Sequence, residues 1–296
     1  MKKGSIGAIA TMASTSALGS LAFSKNEVVN IGVIGTGSRG SGLIPVIDKI
    51  PDLNLVACCD ILPFRLAEGI SRAKNKVKAY DNYLNLLEDR DLDAVIVATP
   101  FSAHSTIEID ALKAGKHVYG EKTLAKGYEN IKLLNDQRKK TDRIFQTGHQ
   151  YHSSRLYTHV VDLIKNGKVG NITAFECQWN RYGDWRRPVP RPELERLINW
   201  RMYREYSGGL VAELCSHQVD FVNWVLDATP NQVMGTGGID YWKDGRETYG
   251  HSLICDPCGK VVSEFDEGPG MACADLDLEQ LHQLRSRMPV WEHRRL

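Results

Sequence analysis

Between residues 28 and 150 the chain alternates short apolar runs with stretches of helical spacing. The runs are Val28–Ile34, Leu53–Cys59, Ala94–Ala98, His117–Tyr119 and Ile144–Thr147. They are apolar on both faces, the pattern of strands covered from both sides. Helical segments fill the gaps, including Leu43–Ile50, Leu84–Leu87, Ser105–Lys113 and Ala125–Lys140. This alternation predicts a parallel sheet flanked by helices and joined by right-handed crossovers.

The period changes near Gly148–Tyr151. Arg155–Lys165 reads as a helix, Asn171–Asn180 as a long alternating strand and Gly208–Val225 as a strongly apolar helix. Val233–Ile239 and Leu253–Cys255 read as further strands. Residues 151–296 are thus an α+β domain with an open sheet. After Gly250 the alternation fades, and Asp275–Leu296 reads as a charged helix with an Arg-rich tail. The second domain is short of strands and reads as C-terminally incomplete, either truncated or ending out of frame. At the other end, Lys2-Lys3 precede an uncharged, Ala/Ser/Thr/Gly-rich run over residues 4–24. It is too weakly apolar for a membrane span. With small residues near Ser20-Leu-Ala22 it reads as an export signal, resembling the back half of a twin-arginine leader. The alternative is a disordered leader on a cytoplasmic protein.

Composition narrows the classes. A chain of 296 residues has room for two domains. Its 42% hydrophobic and 25% charged residues are those of a soluble globular protein. A net charge of +1 argues against nucleic acid as the main partner. Seven irregularly spaced cysteines are no disulfide framework, and Cys255-Asp-Pro-Cys258 is a lone pair with no second half.

The first strand runs into Gly35-Thr-Gly37-Ser38-Arg39-Gly40, a G-x-G-x-x-G opening a helix. Gly35 permits the tight turn, Gly37 lets a pyrophosphate approach the backbone, and Gly40 allows close helix–strand packing. The helix start offers free N–H groups and a partial positive charge. The second strand ends in Asp60, 25 residues after Gly35, near the spacing of about 20 expected for an acid on the ribose 2′-OH. The first domain is therefore expected to be a Rossmann doubly wound domain binding NAD over its strand ends. Arg39 leaves NADP open, since an arginine can accept a 2′-phosphate.

Four segments together resemble the glucose–fructose oxidoreductase / inositol dehydrogenase family (Gfo/Idh/MocA). They are Ile31–Gly40 with Asp60, Asp93–His104, Ala114–Thr123, and Gly208–Asp220. The resemblance implies hydride transfer between a nicotinamide cofactor and a sugar or polyol. It places Thr99, Pro100 and His104 beside the cofactor. Glu121-Lys122 resembles the family's Glu-Lys-Pro, with Thr123 in place of proline. Lys122 would hold the reacting hydroxyl, and Glu121 would orient it or touch the nicotinamide ribose. Glu213 and His217, four apart on a helix, would share one face. His217 is the expected general base, since histidine's ordinary pKa of ~6.5 suits that task. Glu213 supports it where the family usually has aspartate, and Asp220 reads as structural. Trp179, Tyr182 and Trp185 in a loop rich in arginine, together with Arg201, are candidates for substrate binding. His149 and Gln150 follow the last strand of the first domain, where the family often contacts ligand.

The sequence thus reads as an NAD(P)-dependent oxidoreductase acting on a sugar or polyol hydroxyl, with no metal. Self-association through the open sheet is expected. Two alternatives stand beside it: a redox-assisted, NAD-dependent glycoside hydrolase, which an exported protein would favour, and an inactive or truncated binding protein.

Overall fold

The structure is a computed structural model, and it describes residues 28–179, 185–230, 233, 252–255 and 261–265. The leader, Tyr182, most of the strand expected at Val233–Ile239, Cys258 and the charged segment Asp275–Leu296 lie outside the described residues.

Six strands form one parallel sheet: β1 (Val29–Ile34), β2 (Leu53–Cys59), β3 (Lys78–Tyr80), β4 (Ala94–Val97), β5 (His117–Gly120) and β6 (Phe145–Thr147). Their order is β3-β2-β1-β4-β5-β6. The connecting helices are α1 (Ser38–Ile47), α2 (Pro63–Ser71), α3 (Tyr83–Leu87), α4 (His104–Lys113) and α5 (Tyr128–Arg138). Successive residues of β1 point to opposite faces. Ile31 and Val33 join one core with Ile44 of α1 and Leu55. Ile34 joins another with Val97, Leu112 and Leu134. The double-sided apolar runs of the sequence therefore feed two cores, one on each side of the sheet. Strand order reverses between β1 and β4, and at such a switch point the strand ends open into a crevice.

The second half departs from expectation. Residues 171–179 form no strand. Alternation alone does not make a strand; a neighbouring backbone must supply the ladder bonds. Here Phe175 instead sets its ring edge-on to Phe221, 6.4 Å away. Among the described residues the second half pairs β7 (Ser252–Cys255), at the strand expected over Leu253–Cys255, with β8 (Val261–Phe265), antiparallel. Its helices are α6 (Arg155–Lys165), α7 (Glu195–Ile198) and α8 (Ser216–Leu226). The helix expected over Gly208–Val225 is interrupted by a π-turn at Val211–Cys215 before α8 begins.

Candidate active site

The carboxyl ends of the strands open into a cleft of about 1060 Å³, whose walls come from both halves of the chain. Its floor is the glycine turn. Gly35 has φ +88°, and a Cβ there would lie 2.8 Å from the Ala98 carbonyl. A Cβ on Gly40 would lie 1.9 Å from the Gly35 oxygen. Only hydrogen fits at either place, so the helix start sits directly on the strand end. Gly37 caps α1 without a side chain, leaving the first N–H groups of the helix open to the cleft. That cradle fits a pyrophosphate.

Asp60, at the end of β2, is buried and lines the cleft. Its Oδ2 accepts from the Thr36 amide at 2.9 Å and its Oδ1 from the Leu62 amide at 2.9 Å. Burial raises its pKa against those amides and the nearby Arg65. The carboxylate retains acceptor capacity for a ribose diol. Arg39 does not face it. Its Nε donates to Glu121 Oε1 at 2.7 Å, at the end of β5. Since β2 and β5 are three strand spacings apart in the sheet, the two ends are about 14 Å apart. The cation beside Asp60 is Arg65, whose guanidinium lies 3.4 Å from where a Gly37 side chain would begin. Arg65, not Arg39, is placed to read a 2′-phosphate. The sequence reading missed it because a lone arginine early in a helix carries no motif.

Ser38, Thr99 and Pro100 line the cleft as expected. His104 lines the cleft too. It is buried, and its two ring nitrogens lie 3.0 Å from the carbonyls of Thr123 and Thr99. Burial lowers its pKa, and the neutral ring has one N–H to donate to one of those carbonyls, linking the end of β4 with the Lys122–Thr123 turn.

Lys122 stands where the two halves meet. Its Nζ donates to the Glu213 carbonyl, and Thr123 Oγ1 donates to the Ala212 carbonyl at 2.6 Å. Burial lowers the Lys122 pKa, Glu213 opposes this, and Arg201 and Arg39 add to it. Both accepting carbonyls belong to the π-turn, where the regular helix ladder is loosened. The Glu213 carboxylate faces Ser207 Oγ at 3.0 Å and Arg201 Nε at 3.3 Å. Arg201 also lies over the Trp200 ring, 4.1 Å from its centroid. Ser207 is a second residue the sequence reading missed.

His217 is 4% exposed, and its Nδ1 has no hydrogen-bond partner among the described residues. Its ring sits among Tyr151 at 4.8 Å, His149 at 5.9 Å and Trp179 at 6.4 Å between centroids. Burial, with Lys122 and His149 beside it, pushes its pKa down to about 4. The expected shared face of Glu213 and His217 thus resolves into two neighbouring environments. The carboxylate joins the arginine side, and the imidazole joins an aromatic cluster. Trp179 belongs to that cluster, whereas Trp185 lines the cleft. Asn199 is also structural: it accepts from the Arg187 amide at 2.6 Å and donates to the Arg187 carbonyl at 3.1 Å. Among the described residues no three His, Cys, Asp or Glu side chains gather to hold a metal. No helix among them is long and apolar enough to cross a membrane.

Two domain models of one family match this chain. Residues 29–149 match the oxidoreductase family's NAD-binding Rossmann fold, and residues 157–263 match the GFO/IDH/MocA C-terminal domain. The chain belongs to the Gfo/Idh/MocA family. The myo-inositol 2-dehydrogenase of Thermotoga maritima is 28% identical over 211 residues, which cover 71% of this chain and 59% of that protein. A glycosyl hydrolase family 109 protein of Porphyromonas gingivalis is 33% identical over 262 residues, covering 82% and 52%. Among solved structures, the Bordetella pertussis WlbA dehydrogenase in complex with NADH and UDP-GlcNAcA shares the fold. Its TM-score is 0.61 at 22% identity, covering 80% of this chain and 66% of that one. This Gfo/Idh/MocA chain spans 53–59% of the length of the first curated relatives it matches.

Proposed function

We propose that the protein is an NAD(P)-dependent oxidoreductase acting on a hydroxyl of a sugar or polyol. The observation that carries this is the convergence in the cleft of Lys122, from the glycine-turn domain, with Glu213 from the other half, His217 following one helical turn later. The bound nicotinamide would supply the hydride acceptor. The chain does the rest. Gly35–Gly40 and Asp60 hold the dinucleotide, and Lys122 Nζ positions the substrate oxygen. Glu213, fixed by Ser207 and Arg201, shapes the wall opposite. His217, neutral near pH 7, takes the hydroxyl proton. Proton transfer of this kind contributes about 10²–10⁴-fold. His217→Ala should therefore cut turnover by about that factor while NAD binding, followed by fluorescence, stays unchanged. A fully active variant would refute the assignment.

A second reading has its own support, the 33% identity to a glycosyl hydrolase family 109 protein. The same residues would begin a redox-assisted glycoside cleavage in which the cofactor is recycled. Release of an aryl aglycone without added NAD favours cleavage; net NADH from free sugars or inositols favours oxidation. Export belongs to the same reading, resting on the uncharged run over residues 4–24. Fractionating cells that carry the native gene tests it, and a wholly cytoplasmic protein with its leader intact counts against it.

A further inference from the structure

An alcohol oxidation must dispose of a proton. His217 lies on α8, and Asp220 follows one helical turn later on the same face. Opposite runs a 3-10 turn, Gln150–Ser153, which His149 caps and which carries His152. These two edges make two rungs. The His149 and His217 rings are 5.9 Å apart between centroids, near perpendicular. His152 Nε2 meets Asp220 Oδ2 at 2.9 Å. Exposure rises along the ladder: His217 is 4% exposed, His149 is half-buried, and the His152 side chain is 42% exposed. The inner end is a sealed Nδ1 without a partner, a costly arrangement for a group with no task. The outer end is the His152–Asp220 hydrogen bond near the surface, with the His152 ring stacked on Trp224 at 4.1 Å.

We propose that these three histidines and Asp220 form a proton exit from the active site. The inference rests on His217 being the base of the proposed reaction. When the substrate O–H bond breaks, its electron pair forms the carbonyl, and the C–H pair would leave as hydride to a nicotinamide held by Gly35–Gly40 and Asp60. The proton passes to the His217 ring, then to His149, then to the His152–Asp220 pair and bulk water. The charged groups around the path favour outward movement. Burial, Lys122, His149 and Arg39 disfavour a proton resting on His217, and Asp220 favours it. His149 feels Asp220 and Glu121 against His152 and Lys122.

The test uses Asp220→Asn and His152→Gln, which close the outer end without opening a cavity at the inner one. Each should lower kcat about tenfold, raise the solvent isotope effect and be rescued by added imidazole. NAD affinity and melting temperature should not move. Wild-type kcat with no change in isotope effect or buffer dependence would overturn the exit. A second measurement needs no substrate. In the unliganded protein, ¹⁵N NMR should show exchange of the His217 ring proton with water slowed in both variants. Unchanged exchange overturns the proposal even if no sugar proves to be oxidised. If wild-type protein turns over no sugar yet the exchange slows, the path stands and the assigned reaction is what fails.

Discussion

Asp60 holds two structures at once. Its oxygens fix the Thr36 and Leu62 amides, and it lines the cleft where the dinucleotide is proposed to bind. Asp60→Asn removes a charged acceptor, and hydrogen bonds to charged groups contribute about 1.5–3 kcal/mol. NAD affinity should fall about 10- to 100-fold, with a lower melting temperature because an amide nitrogen would face the Thr36 N–H. Calorimetric titration that finds unchanged affinity would remove Asp60 from the cofactor site. Glu108 is the opposite case, a residue no motif marks. It is wholly buried on α4, both carboxyl oxygens lack partners among the described residues, and its Oε1 fills the space above Gly120. Burial pushes its pKa up to about 8. Its folded-state pKa is thus above the unfolded value of about 4.3. The native state holds the proton more tightly, so its stabilising effect is complete below that lower value and is lost as pH rises through about 8. Denaturant melts from pH 5 to 9 should show stability declining upward, and Glu108→Gln should flatten that decline. A slope identical in both proteins would contradict this account. The glycines and Asp60 were legible in the sequence because their spacing is the mechanism. Arg65 and Glu108 were not, because their neighbours arrive from distant segments, and Ser207 was not, because a serine six residues before an acid carries no motif.

At the scale of elements, the β1–α1–β2 unit could be read directly, since its strands carry apolar residues on both faces and glycines mark its turn. The segment over residues 171–179 could not, because its fate depends on whether another strand lies alongside. The stretch leading into α7 shows a third situation. Its aromatics interleaved with arginines suggested a substrate loop. In the structure Leu194 and Ile198 pack on Leu62 from the first domain, while Asn199 and the Arg186–Glu195 pair, 2.6 Å apart, pin its course. The segment therefore walls the Asp60 end of the cleft. Ile198→Ala should cost about 2 kcal/mol if the packing is core-like, and it should speed proteolytic cleavage near α7. Bound NAD should leave faster from that variant in a stopped-flow chase. An unchanged off-rate would mean the wall does not touch the nucleotide.

For the whole molecule, the chemistry sits on contacts between segments far apart in sequence. Ser102 donates to the Tyr206 carbonyl at 3.1 Å, close to where Lys122 and Thr123 reach the π-turn carbonyls. A sequence scan could name Lys122 and His217 from their surroundings. It could not tell that Glu213 and His217 turn toward different neighbours, because the regular helical repeat puts them on one side.

The π-turn explains that separation. Val211–Cys215 holds one residue more than an α-helical path would need. Deleting a residue there would give a straighter, more regular helix. The α-helix on either side would keep its phase, because the surplus is absorbed within the turn. What would move is the turn itself: Glu213 would lose its reach to Ser207 and Arg201, and the carbonyls of Ala212 and Glu213 would return to the helix ladder, away from Thr123 and Lys122. The surplus residue thus acts as an offset, turning one short stretch of helix toward the other half of the chain.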